Sequence, residues 1–160
     1  MKWLGTILGA CAVAAASAAP AAALGISVPA ASVGSLRPGQ TATSLPVAIV
    51  VTGLPLEAWT LRVEDPAGQP TDGRMLRSET CSLGVSSLAD PLHLSFSGGL
   101  PSTDIVRPEY DLDSLSNPVV AQGSTPDTFN VQFSQEVGAT EVLASGCAYS
   151  LSVRYTVAPG

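Results

Sequence analysis

Cys147-Ala148-Tyr149-Ser150-Leu151-Ser152-Val153-Arg154-Tyr155-Thr156-Val157 decides the fold class, because apolar and polar residues alternate along its whole length. Cys147, Tyr149, Leu151, Val153, Tyr155 and Val157 fall on one phase; Ala148, Ser150, Ser152, Arg154 and Thr156 fall on the other. Successive side chains of a strand point to opposite faces, so this run offers one face to a core and one to water.

The same period recurs upstream in shorter runs. Trp59, Leu61 and Val63 share a phase, as do Cys81, Leu83 and Val85, then Leu92, Leu94 and Phe96, then Phe129, Val131 and Phe133. Val47 to Val51 is apolar throughout, the pattern of a strand covered on both sides or at the centre of a sheet. Weaker strands are expected over Ile26–Val28, Pro118–Ala121 and Thr140–Leu143. Between them stand Arg37-Pro38-Gly39, Gly53-Leu54-Pro55, Asp65-Pro66-Ala67-Gly68, Ser97-Gly98-Gly99 and Ser124-Thr125-Pro126-Asp127. In these turns proline fixes φ and glycine admits positive φ. No window keeps the i, i+3, i+4, i+7 spacing of an amphipathic helix. The expected fold is all-β, an antiparallel immunoglobulin-like β-sandwich of about seven to nine strands, with a small β-barrel as the alternative.

The first 23 residues differ in kind. A basic start at Lys2 leads into an apolar, alanine-rich tract, the layout of a secretory signal peptide. Cleavage fits after Ala18 or after Ala23, and Pro20 interrupts the apolar tract. Leu8-Gly9-Ala10-Cys11 also matches a lipidation box, which gives a lipid anchor on Cys11 as the minor alternative. Residues 24–160 are expected to form one domain, since about 137 residues suffice for one core and not comfortably for two. No transmembrane segment is expected there, because a spanning helix needs about 20 uninterrupted apolar residues. The expected location is outside the cell or on its surface.

Removal of the signal takes away the only lysine, leaving six arginines against thirteen acidic residues, a net charge of −7. Nucleic acid and anionic lipid both require a basic footprint, so neither is an expected partner. Removal also leaves Cys81 and Cys147 as an even pair in an oxidising compartment, which points to a disulfide rather than two buried thiols. Closing the roughly 65-residue loop between them contributes about 4 kcal/mol by chain entropy. Both cysteines lie on the inward phase of their runs, placing the bridge in the core.

No catalytic, metal or cofactor motif stands out, and no cofactor is expected. His93, the sole histidine, is expected to point outward from its strand, with no nucleophile elbow to serve. Trp59 has inward parity and a core role. The stretch from Gly98 to Ser124 lacks a sustained period and reads as a long connection with one short strand, the kind of loop that is often functional. Within it Asp104, Glu109, Tyr110, Asp111 and Asp113 are the candidate recognition residues, with Tyr110 as an exposed aromatic contact. Asp111, Asp113 and Asn117 form an oxygen-rich cluster suited to Ca²⁺, although the glycine and closing glutamate of an EF-hand loop are missing.

The first functional expectation is a noncatalytic structural, adhesive or assembly protein that contacts an extracellular protein or a second copy of itself. The N-terminal arm Leu24–Leu45, with Ile26, Val28 and Val33, suits strand addition to an exposed edge. A small-ligand or Ca²⁺ carrier is the alternative. A carboxylate-based hydrolase and a secreted enzyme inhibitor rank lower.

Overall fold

The computed structural model describes residues 23–66, 71–81, 83–113 and 115–160. Residues 1–22 of the expected export segment, with Cys11 and the cleavage site after Ala18, lie outside the described residues. Eleven strands occur in order: β1 (Gly25–Ser27), β2 (Gln40–Thr43), β3 (Val47–Thr52), β4 (Ala58–Glu64), β5 (Leu76–Arg77), β6 (His93–Ser97), β7 (Glu109–Asp111), β8 (Val119–Ser124), β9 (Asp127–Val137), β10 (Tyr149–Ser150) and β11 (Arg154–Pro159). The described residues contain no helix, and every strand pairing is antiparallel.

The longest strand, β9, is the spine of a six-stranded sheet ordered β1-β3-β9-β6-β7. Its inward residues Phe129, Val131, Phe133 and Val137 are buried, as the alternation predicts. Strands β2 and β3 share one edge of β9, pairing with Ser134–Val137 and Asp127–Val131 in turn. Strand β6 takes the other edge, with Leu94 opposite Phe133 and Phe96 opposite Val131. A second sheet runs β11-β4-β8, with Trp59, Leu61 and Val63 of β4 pointing inward.

Inward side chains of both sheets belong to one core, in which the Trp59 and Phe129 rings stack at a centroid distance of 5.7 Å and an interplanar angle of 2°. The chain passes between the sheets at two adjacent corners, Gly53–Glu57 and Thr125–Pro126. Backbone bonds from Leu56 N–H to Thr125 O (2.8 Å) and from Thr125 N–H to Glu57 O (2.9 Å) tie these corners together.

Period two identified β4, β6 and β9, and the apolar run identified β3, but four expectations need correction. The run 147–157 is not one strand: β10 pairs with β5, β11 pairs with β4, and residues 151–153 cross between them. Side-chain parity survives the break, because Leu151, Val153, Tyr155 and Val157 all pack against the core. Among the described residues of 81–85 there is no strand, and Leu83 is 76% exposed. There Gly84 takes a φ of 80°, and the Arg77 guanidinium donates to the carbonyls of Leu83 and Gly84 at 2.7 Å each, which holds the segment as a bend. Thr140–Leu143 also forms no strand; the Glu141 carboxylate instead accepts from the backbone N–H of Gly138 and of Ala89, drawing the chain into a turn. Finally, β3 is not covered throughout, because Ala48 faces solvent while Ile49 and Val51 are buried.

The weak signal at 118–121 has a local cause. The β4–β8 register shifts between Leu61 and Arg62, and at this bulge the consecutive residues Val120 and Ala121 are both fully buried. A bulge breaks strict alternation by design of the ladder, since two residues face one partner.

Buried Asp65 organises the neighbouring turn, accepting from the Thr71 hydroxyl and from the Gly73 N–H (2.9 Å). Gly73 has a φ of 75°, and a Cβ there would stand 1.8 Å from the Leu112 carbonyl oxygen. Gly73→Ala is therefore expected to cost more than about 2 kcal/mol, combining left-handed backbone strain with a backbone clash. Urea unfolding checks it; a loss below about 0.5 kcal/mol would mean that the turn moves away freely.

Candidate functional site

Two regions qualify by position. The first is the acidic connection leading into β8. It is more ordered than the sequence implies, carrying β7, much of β8 and a bridge between Asp104 and Gln122. Asp104 exchanges both backbone hydrogen bonds with Gln122 (2.7 and 2.9 Å), and its carboxylate accepts from the Gln122 amide at 2.9 Å. Glu109 and Asp111 are exposed at the two ends of edge strand β7. Asp111 Oδ1 lies 2.7 Å from His93 Nδ1 across the β6–β7 pair, so the histidine has a carboxylate partner rather than water alone.

Asp113 turns its carboxylate back on its own loop, accepting from Leu115 N–H (2.6 Å) and from the Ser116 hydroxyl (2.8 Å). The backbone carbonyl of Asn117 accepts from the Arg62 guanidinium (2.7 Å). Asp111, Asp113 and Asn117 thus serve three different partners, and no group of three histidine, cysteine or acidic residues suited to a metal ion occurs among the described residues. Tyr110 is half-buried and packs on the core opposite Leu94, not free as an exposed aromatic contact. Burial raises its pKa above the ordinary tyrosine value, and the nearby negative charge of Asp113 adds to the rise.

Other carboxylates also cap backbone. Glu57 accepts from Leu54 N–H (3.0 Å), Asp127 accepts from Thr128 N–H and the Thr103 hydroxyl (2.7 Å each), and Glu64 pairs with Arg154 (2.9 Å). These bonds shape turns and edges.

The second region is a cavity of about 1190 Å³ between the N-terminal arm and residues 141–153, with Met75, Leu92, Phe133 and Tyr155 also lining it. The arm forms one wall. Its Leu24, Ile26, Val28 and Val33 pack against the core, and Gly25–Ser27 pairs with Val50–Thr52 as β1. Beyond β1, no backbone–backbone hydrogen bond involves residues 28–36 among the described residues. The other wall is held by the Cys81–Cys147 bridge, whose Cα atoms stand 6.0 Å apart. The bridge lies outside the core: both cysteines are only partly buried and flank the two-stranded β5–β10 sheet. This corrects the inward placement expected from parity.

The arm was legible through Ile26, Val28 and Val33, whereas the cavity was not. Its far wall, 141–153, combines a failed strand, a turn and a sheet change, and no sequence period marks such a surface. No protein family, curated protein or solved structure matches the chain. Among the described residues no helix is long and apolar enough to cross a membrane.

Proposed function

We propose that the chain is a secreted or cell-surface noncatalytic module, built as an immunoglobulin-like β-sandwich, that assembles with a second copy by exchanging its N-terminal arm. One observation carries this reading: the arm supplies the edge strand β1 and four side chains packed against the core, yet residues 28–36 that follow β1 have no backbone pairing among the described residues. A segment held by its first few residues and then loosely led away is suited to exchange. An identical arm from a second copy offers β3 the same hydrogen bonds and the same Leu24, Ile26 and Val28 contacts, so the exchange costs little beyond association entropy.

Ser27 and Val50 are register partners on the β1–β3 pair, which allows the arm to be pinned in its own chain. The wild-type protein is expected to form dimers as concentration rises, and the oxidised Ser27→Cys/Val50→Cys variant to remain monomeric by light scattering. Dimers that persist with the intramolecular crosslink formed, or a wild type that stays monomeric at millimolar concentration, would refute arm exchange.

A further inference from the structure

We propose that the outer edge of β7 is a docking site for an extended segment of another protein, one that carries lysine or arginine at two alternate positions and adds to the sheet as a further strand. The phase of the β6–β7 ladder is the first support. Phe96 N–H donates to Pro108 O (2.7 Å) and Leu112 N–H donates to Leu92 O (2.9 Å), which makes 92–112, 94–110 and 96–108 the hydrogen-bonded pairs. Glu109 and Asp111 lie between them, so their N–H and C=O groups point away from β6. Among the described residues no bond engages these four backbone groups. The outer edge of β8, by contrast, is already taken: Asp104 N–H donates to Gln122 O (2.7 Å) and Arg107 N–H to Val120 O (3.0 Å).

The side chains of this edge state the chemistry of its occupant. Glu109 and Asp111 are both exposed and, two residues apart on a strand, share the outer face of the sheet. Asp111 holds His93 through Oδ1, while the Glu109 carboxylate has no partner among the described residues. Over residues 107–113 Arg107 is the one cation, against Glu109, Asp111 and Asp113. Residues directly opposite on an added antiparallel strand share a face at a Cβ separation of about 5 Å, so cations at two alternate positions meet both carboxylates. The side chain between them falls on the inner face beside Tyr110, which is half-buried and packs against the core.

A second copy does not fit. Two β7 edges paired about Tyr110 would set Glu109 against Asp111 of the other copy, like charges directly opposed. Nowhere in the sequence do two lysines or arginines stand two residues apart, so no other strand of this chain supplies the pattern. The carboxylates that bar self-pairing therefore select a different, basic strand. This assignment does not rest on arm exchange, which uses β1 at the opposite edge of the sheet.

The probe is the pentapeptide amide Val-Lys-Val-Lys-Val with an N-terminal fluorescein. Fluorescence anisotropy is expected to show saturable binding, one per chain, to the wild type and equally to the pinned Ser27→Cys/Val50→Cys variant. Backbone N-methylation at both lysines removes the donors that face β7 and is expected to weaken binding more than about tenfold. N-methylation of the middle valine, whose N–H faces away from β7, should change it less than about twofold. Glu109→Lys is expected to weaken the peptide more than about tenfold, with Glu109→Gln, at about threefold, as the second variant should the first not fold. Glu136→Lys, at an exposed carboxylate two strands away, should change it less than about twofold.

Absence of saturable binding up to millimolar peptide, equal loss from the two kinds of N-methylation, or binding kept by Glu109→Lys would overturn the assignment. Loss of binding in the pinned variant would place the peptide at β1 instead and overturn it as well.

Discussion

Phe129→Ala is expected to cost about 3–5 kcal/mol of folding stability, the range for removing a fully buried phenylalanine. Phe129 is 1% exposed, stands opposite Ile49 on β3 and stacks on Trp59 from the other sheet. Its loss empties the place where the two sheets meet. Neighbours there are strand residues held by ladders on both sides, so the space cannot close cheaply. A domain of this size is commonly stable by about 5–15 kcal/mol in total, making the change a large fraction of the whole. Urea unfolding with the disulfide intact should show a lower midpoint at unchanged slope. Phe129→Leu should recover more than half of the loss. A deficit below about 1 kcal/mol would mean that the sheets do not share one packed core.

Replacing both bridge cysteines, as Cys81→Ser/Cys147→Ser, is expected to lower stability by about 4 kcal/mol on the chain-entropy estimate for a separation of 66 residues. The damage should be uneven. Residues 76–85 and 141–150 are joined otherwise by the two residue pairs of β5–β10 and by single bonds such as Ser78 N–H to Ala148 O (2.9 Å) and Val85 N–H to Val142 O (2.9 Å). Hydrogen exchange should therefore quicken first at Ser78 and Val85, while the Val131 and Phe133 amides of β9 keep protection close to the global value. The same loosening should release one wall of the cavity. Uniform exchange across both regions, or a stability loss below about 1 kcal/mol, would show that the bridge constrains neither.

The two substitutions separate two kinds of order. Phe129 tests a core assembled from alternating strands, and the cysteine pair tests an appendage too small to bury its own apolar face. Two-residue strands are marginal alone. The bridge, the Arg77 contacts with Leu83 and Gly84, and the Tyr149 hydroxyl bond to Val85 O supply what the β5–β10 hydrogen bonds cannot.

The acidic segment teaches a related point about sites. Asp111, Asp113 and Asn117 crowd together in sequence, and a loop that gathers oxygens is a reasonable place to seek a cation. Folding sends the Asp111 and Asp113 carboxylates to His93 and to the Leu115–Ser116 turn, and the Asn117 backbone carbonyl to Arg62. Short-range spacing states which groups are available, while their hydrogen-bond partners decide which are free. Two partners, His93 and Arg62, come from other strands.

Sequence alone determined the strand character and facing of β4, β6 and β9, because period two is a local property of the chain and needs no partner to be read; for β3 the apolar run marked the strand but not its facing. It also determined which two cysteines are available to pair, once residue 11 is set aside. Tertiary structure decided where that parity is used: the run ending in Val157 keeps its inward face but changes sheets at residues 151–153, since β4 offers an edge to Arg154–Pro159 and the bridged segment offers one to Tyr149–Ser150. It decided too that the arm and residues 141–153 face each other across a cavity. Surfaces so distant in sequence meet through chain topology and long-range packing, which no local period encodes.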